Sequence, residues 1–217
     1  MTIPKLNFFE TMVMAKNGNA DAQYNLGVMY HEGKGMPQDY TKAVRWFRDA
    51  ANQGNAYAQH NLGVMYATGT GVPRDEAKAE QWFRAAAKQG IAEAQLNLGG
   101  IYASGRGVPQ DYAEAVRWYR AAAKKGNAEA QHNLGVMYAN GRGVPRDDVK
   151  AEQWFRAAAK QGIAEAQYSL GGIYASGRGV PQDYAQAEQW YRRAAEQGNA
   201  DAQLALGLMY EIGIGVD

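Results

Sequence analysis

The residues of this chain recur every 36 positions, and the register never slips. Tyrosine returns at Tyr30, Tyr66, Tyr102, Tyr138, Tyr174 and Tyr210, and tryptophan at Trp46, Trp82, Trp118, Trp154 and Trp190. Five units are predicted at about 19–54, 55–90, 91–126, 127–162 and 163–198, with a partial sixth at 199–217. A period of this length indicates one supersecondary unit per repeat, because each unit buries its apolar surface by stacking on its neighbours.

Each unit is predicted to form two helices. Ala22, Leu26 and Tyr30 have the i, i+4, i+8 spacing of one buried helical face. Segment 33–37 ends that helix, since it holds two glycines and a proline without an N–H. The apolar face of the second helix comprises Ala43, Trp46, Phe47, Ala50 and Ala51. The chain is therefore expected to be all-α, with antiparallel helix pairs.

The predicted helix ends carry residues suited to capping. Asp39 precedes the second helix as an N-cap, and Gly54 follows it as the C′ residue. Asparagines stand where four of the first helices begin, at Asn19, Asn55, Asn127 and Asn199. On the second helices, three glutamates precede an arginine by four residues, so we expect solvated ion pairs at Glu80, Glu152 and Glu188.

Residues 1–18 are predicted to form a leading helix that caps the first repeat. One apolar face of that helix would contain Phe8, Phe9, Met12 and Ala15, and the whole chain, 1–217, is expected to be a single domain. A glycine also recurs inside every first helix, beginning with Gly27. Because glycine there costs about 0.5–1 kcal/mol relative to alanine, we interpret it as a close approach by Trp46 or Phe47.

Composition excludes several classes of function. The 23 basic and 22 acidic residues give a net charge of +1, whereas nucleic-acid-binding domains are clearly basic. No apolar run approaches the ~20 residues of a membrane span, so no membrane insertion is expected. Cysteine is absent, which excludes disulfides and thiolate sites. The N-terminus lacks signal-peptide features, so the protein is either cytoplasmic or begins after a removed signal.

Segments 128–138 (AEAQHNLGVMY), 141–145 (GRGVP) and 150–158 (KAEQWFRAA) together resemble the Sel1-like repeat, a relative of the tetratricopeptide repeat. The resemblance covers nearly the whole chain. It implies a right-handed α-solenoid, a superhelix whose concave groove is lined by the first helix of each repeat. It also implies a scaffold that binds a protein or peptide, often in bacteria, and no enzymatic activity.

The residues expected to face that groove differ between units, as a specific binding surface would. The Tyr24 position holds Tyr24, His60, Leu96, His132 and Tyr168. The position three residues earlier holds Tyr57 in the second repeat. An asparagine row follows at Asn25, Asn61, Asn97 and Asn133, and it either holds a peptide backbone or bonds neighbouring helices. These ten residues are the candidate site, although simple solvent exposure also explains variable positions.

Valine and glycine alternate at one position of successive repeats, which gives the groove an uneven surface. Gly100 and Gly172 leave notches where Val64 and Val136 leave ridges. Duplication of a two-repeat block explains this pattern without any function.

No motif indicates catalysis, a metal or a cofactor. The Gly-x-Gly-Val-Pro loops follow helices rather than strands, and no phosphate-binding glycine motif occurs. Two further functions stay open beside peptide binding. One is a cell-envelope or carbohydrate-binding module that stacks sugars on Tyr24, Tyr57 and Tyr168. The other is a self-associating adaptor, a homodimer through an open C-terminal face that includes Leu204, Leu206 and Leu208.

Overall fold

The structure is a computed structural model that describes residues 7–215, and within that range it contains twelve α-helices and no strand. The helices are α1 (Phe8–Lys16), α2 (Ala20–Glu32), α3 (Tyr40–Asn52), α4 (Ala56–Thr68), α5 (Glu76–Lys88), α6 (Ala92–Ser104), α7 (Tyr112–Lys124), α8 (Ala128–Asn140), α9 (Asp148–Lys160), α10 (Ala164–Ser176), α11 (Tyr184–Glu196) and α12 (Ala200–Ile212). We call the even-numbered helices, which open each repeat, A helices. The odd-numbered helices are B helices. The first six residues of the predicted leading segment lie outside the described residues.

The chain divides into two compact units, Met1–Gln110 and Asp111–Asp217. The first contains α1 to α6 and the second α7 to α12. Within each unit, every helix packs against the next one in the chain, so that A and B helices alternate through the stack. The predicted all-α repeat solenoid is confirmed.

The helix ends are formed by the predicted capping residues. The side chain of Asn19 accepts a hydrogen bond of 2.8 Å from the backbone N–H of Ala22 at the start of α2. The carboxylate of Asp39 does the same for Lys42 at the start of α3, at 2.9 Å. Gly54 follows the end of α3 with φ of 90°, a left-handed conformation that favours glycine. Local sequence therefore sets where each helix begins and ends.

The glycine inside four of the A helices, α2, α4, α8 and α10, is a packing residue, as predicted. A Cβ atom built on Gly27 would lie 2.6 Å from Cδ1 of Phe47, so the aromatic residue that approaches is Phe47 and not Trp46. The same clash recurs at Gly63 with Phe83, at Gly135 with Phe155 and at Gly171 with Tyr191. In the last A helix, nothing lies within 4 Å of the corresponding position on Gly207.

Buried glutamines join consecutive helices across the stack. The side-chain nitrogen of Gln59 donates to the carbonyl of Ala51 on α3, at 3.1 Å, and its side-chain oxygen accepts from Gln89 on α5, at 2.8 Å. Gln59 is only 7% exposed, so both polar ends of the amide are satisfied inside the core. A residue that repeats in the sequence without an evident role thus connects three successive helices.

Two expectations were wrong. Phe9 is 78% exposed, whereas Phe8, Met12 and Ala15 pack against α2, because adjacent residues on a helix point about 100° apart. The predicted ion pairs are not fully solvated, because the glutamate side chain of each pair is buried. Glu152 is 7% exposed, accepts from Arg156 at 2.7 Å and lies 3.3 Å from the hydroxyl of Tyr174, which donates to it.

The same buried arrangement occurs in two other repeats, centred on Glu80 and Glu188. Where valine replaces the glutamate, as at Val116, the arginine still donates to the tyrosine, from Arg120 to Tyr138 at 3.0 Å. The tyrosine belongs to the A helix of the following repeat. This polar link across repeats was not visible from the sequence, because its partners lie 18 or 22 residues apart.

Candidate functional site

All ten residues of the predicted site lie on A helices, from α2 to α10. Asn25 and Tyr57 are exposed, and the rest are half-buried at Tyr24, His60, Asn61, Leu96, Asn97, His132, Asn133 and Tyr168. Every one of these side chains therefore reaches the surface of its A helix.

The side chain at the Tyr24 position packs against the aromatic ring that contacts the glycine of the same A helix. In the first unit, the ring centroid of Tyr24 lies 6.0 Å from that of Phe47, and that of His60 lies 5.7 Å from that of Phe83. In the second unit, His132 covers Phe155 at 5.6 Å. These side chains therefore serve the packing of the helix pair, and each leaves an outer edge for contact.

Burial changes the pKa values of these side chains. It lowers the pKa of His60 and of His132 below the ordinary value of 6.5, since desolvation disfavours the charged imidazolium. Burial, followed by the nearby Tyr57, raises the pKa of Tyr24. The two histidines are therefore neutral at physiological pH.

Asn97 of the asparagine row makes a hydrogen bond between repeats in the first unit. Its amide nitrogen on α6 lies 3.2 Å from Nε2 of His60 on α4 and donates to it. This bond joins α6 to the preceding A helix, which supports the structural interpretation at Asn97.

Each unit contains a pocket between neighbouring A helices. The α2–α4 pocket has a volume of about 260 Å³ and is lined by Tyr24, Val28, Phe47, Asn61, Val64 and Met65, among others. The α8–α10 pocket has a volume of about 310 Å³ and is lined by Val136, Phe155, Tyr168, Ser169, Gly172 and Ile173, among others.

The two pockets are built from equivalent repeat positions. Phe47 and Phe155 stand at the same position in repeats one and four, and Gly172 replaces the valine found at Val64. Three of the ten predicted residues, Tyr24, Asn61 and Tyr168, line a pocket. The sequence signal for the α8–α10 pocket was Gly172 in the alternation of glycine and valine, which duplication alone had explained, whereas the α2–α4 pocket has valines, Val28 and Val64, at both equivalent positions.

The pockets also include residues that sequence reasoning did not place in the groove. Asp148 and Arg178 line the α8–α10 pocket, yet Asp148 opens a B helix and Arg178 stands in the loop after α10. Only the folding of the loops beside the A helices brings them to the pocket.

Comparison with protein families matches the repeat along nearly the whole chain. The Sel1 repeat model matches residues 20–55, 56–91, 92–127, 128–163, 164–199 and 200–217. The chain belongs to the Sel1 repeat family. Sel1 repeat proteins are generally non-catalytic scaffolds that bind proteins. Among curated protein sequences, none matches the chain.

Solved Sel1 repeat structures resemble this one closely. A protective antigen of uropathogenic Escherichia coli with an SLR fold is 42% identical, with a TM-score of 0.94 over 98% of this chain, which spans only 46% of that antigen. A Sel1 repeat protein from Oxalobacter formigenes is 36% identical, with a TM-score of 0.87 over 96% of this chain and 84% of the other. An immunity protein from Pseudomonas aeruginosa, 24% identical, has a TM-score of 0.51 over 93% of this chain and 70% of the other, and shares the fold alone.

Among the described residues, no helix combines the length and the apolar character needed to cross a membrane.

On the last A helix, Leu204 is 64% exposed and Leu208 is 51% exposed. Leu206, the third leucine named for the predicted homodimer, is half-buried, and the homodimer stays a prediction.

Proposed function

We propose that the A-helix face of each unit of this Sel1 repeat protein binds an extended segment of another protein, with apolar side chains of that segment entering the pocket between neighbouring A helices of that unit. The observation that carries the proposal is the recurrence of one pocket at equivalent positions in both units, each with a phenylalanine ring in its lining. A scaffold that contacts an extended ligand through its repeats needs pockets at equivalent positions of those repeats.

The size of the pockets favours side chains over whole small molecules. Their volumes of about 260 and 310 Å³ lie at or below the lower end of the roughly 300–1,000 Å³ common for small-molecule sites. Both linings combine apolar residues with polar ones, among them Asn61 in the α2–α4 pocket and Ser169 in the α8–α10 pocket, which suits one or two side chains with their backbone.

Carbohydrate binding receives less support from the aromatic residues. Stacking on a sugar needs an open ring face, yet the rings of Tyr24 and Tyr168 pack against Phe47 and Tyr191, at 6.0 and 5.6 Å. Of the three tyrosines considered, Tyr57 is the exposed one, at 59%. We therefore propose the polypeptide ligand.

The test fills the pockets without disturbing the fold. A Cβ atom at Gly172 would meet only the hydroxyl oxygen of Tyr191, at 3.5 Å, which is ordinary contact. Gly172→Val should therefore fold normally and narrow the α8–α10 pocket, and Val64→Phe should fill the α2–α4 pocket. The matched control is Gln153→Val, at an exposed position of α9 that lines neither pocket.

Peptides of twelve residues would be selected from a random displayed library on the wild-type protein, synthesised, and titrated by fluorescence anisotropy. We expect the double pocket variant to weaken binding at least tenfold, and the Gln153→Val control to bind like the wild type. Equal affinities for the wild type and the folded double variant would refute the role of the pockets.

A further inference from the structure

Charge is divided unequally between the two sets of helices. The A helices contain no lysine or arginine, but they contain seven carboxylates, at Asp21, Glu32, Glu93, Glu129, Glu165, Asp201 and Glu211. The B helices α3, α5, α7 and α9 each contain three lysines or arginines. The near-neutral composition of the chain therefore conceals an acidic face and a basic face.

Helix stability explains only part of this division. Carboxylates in the first turn favour a helix through its dipole, which accounts for residues such as Glu93 and Glu129. The same effect favours a basic residue in the last turn, and the B helices follow that rule at Lys88, Lys124 and Lys160. Nothing in helix energetics requires the A helices to lack lysine and arginine entirely.

The acidic residues of the two sets also differ in their partners. On the B helices, Glu80, Glu114, Glu152 and Glu188 each form an ion pair with an arginine of the same helix. Within residues 7–215, Glu32 is the one A-helix carboxylate in an ion pair, with Lys34. Glu93, Glu129 and Glu165 are exposed and have no such partner in that range. Their negative charge is therefore left uncompensated.

One of the uncompensated carboxylates lies close to residues that line a pocket. Glu165 lies on α10, one helical turn before Tyr168 and Ser169, which line the α8–α10 pocket. Glu93 lies near enough to act on the charge of His60, and Glu165 on that of His132. The cationic side chain of Arg178 also lines the α8–α10 pocket, so it shares that face with the carboxylates of the A helices.

We infer that the polypeptide bound on the A-helix face is cationic, with lysine or arginine residues flanking the apolar side chains that enter the pockets. This inference rests on the proposed function and specifies the class of its ligand. In the second unit, Glu129 and Glu165 occupy the same position of successive A helices, α8 and α10, so more than one basic residue of an extended ligand can meet a carboxylate there.

The test neutralises the carboxylates without changing their size. The variant Glu93→Gln/Glu129→Gln/Glu165→Gln removes three charges from the A helices. Its control, Asp49→Asn/Glu114→Gln/Glu196→Gln, removes three charges from B helices and so has the same net charge. Thermal unfolding followed by circular dichroism would verify that both variants fold.

Random twelve-residue peptides would be selected separately on the wild type and on both variants. We expect lysine and arginine to be enriched on the wild type and on the control, but not on the A-helix variant. A peptide selected on the wild type should bind the A-helix variant about tenfold more weakly, which corresponds to about 1.4 kcal/mol. Raising the salt from 50 to 500 mM should weaken its binding to the wild type more than to that variant.

The outcomes separate this inference from the proposed function. Neutral or acidic peptides that still lose affinity on pocket filling would overturn the cationic ligand and leave the proposed function standing. Basic peptides that bind the filled-pocket variant as tightly as the wild type would overturn the proposed function, and this inference with it. Equal loss of affinity in both charge variants would mean that net charge alone attracts the peptide, which also overturns the inference.

Discussion

Replacing Gly135 with alanine adds one methyl group at the point where α8 meets the ring of Phe155. The new Cβ atom would lie 2.8 Å from two ring carbons and 3.1 Å from a third, whereas carbon atoms in contact prefer about 3.5–4.0 Å. The ring must therefore move by several tenths of an ångström within a packed core. Such overpacking costs about 1–3 kcal/mol, and alanine returns about 0.5–1 kcal/mol through its helix propensity. The midpoints of these two ranges give an expected net loss of about 1 kcal/mol in the free energy of unfolding.

Urea unfolding followed by circular dichroism would measure this loss. The matched control is Gly207→Ala, where the added Cβ meets nothing within 4 Å, so only helix propensity acts and α12 should become more stable. Hydrogen exchange of the α12 amides should then slow by about two- to fivefold, the equivalent of 0.5–1 kcal/mol.

A double-mutant cycle identifies the clash with Phe155 as the cause. Phe155→Leu removes ring atoms, so the alanine should cost less in that background than in the wild type. A neutral or stabilising Gly135→Ala would refute the argument that close approach selects glycine in the A helices. So would an equal cost of the alanine in both backgrounds.

Two further predictions concern buried polar groups. Burial lowers the pKa of His60 and His132, so the unfolded chain binds more protons than the folded chain as the pH falls through 6.5. The melting temperature should therefore decrease as the pH is lowered from 7.5 to 5.5, and the variant His60→Leu/His132→Leu should show a smaller decrease. An equal decrease in the variant and the wild type would contradict the role of the two histidines. Glu152→Val copies the natural residue Val116 and should alter urea stability by less than about 1 kcal/mol, whereas Glu152→Ala also leaves a cavity and should cost about 1–3 kcal/mol. Equal losses in the two variants would show that the carboxylate, and not the space it fills, matters.

In the proposed function, packing and recognition share side chains on the A-helix face. The residue at the Tyr24 position packs against the aromatic ring inside the repeat, and Tyr24 and Asn61 also line the α2–α4 pocket. An alanine at Tyr24 would thus disturb the stack as well as the proposed ligand site. Filling the pockets, or neutralising the carboxylates at the Asp21 position, changes the surface without removing a packed ring.

The sequence by itself determined the repeat, the helix boundaries, the capping residues and the glycine contact, and its periodicity was sufficient for the family. These features are local or periodic, so residues a few positions apart, or one repeat apart, contain the information. Helix caps such as Asn19 and Asp39 act within three residues of themselves.

Only the tertiary structure decided which side chains meet across helices. It selected Phe47 rather than Trp46 as the partner of Gly27, turned Phe9 toward solvent, and buried Glu152 beside Tyr174. Each outcome depends on how far a helix rotates about its own axis when it packs, and periodicity leaves that angle open by a residue or so. The pockets have the same origin, because their walls come from two repeats and exist only after those repeats stack.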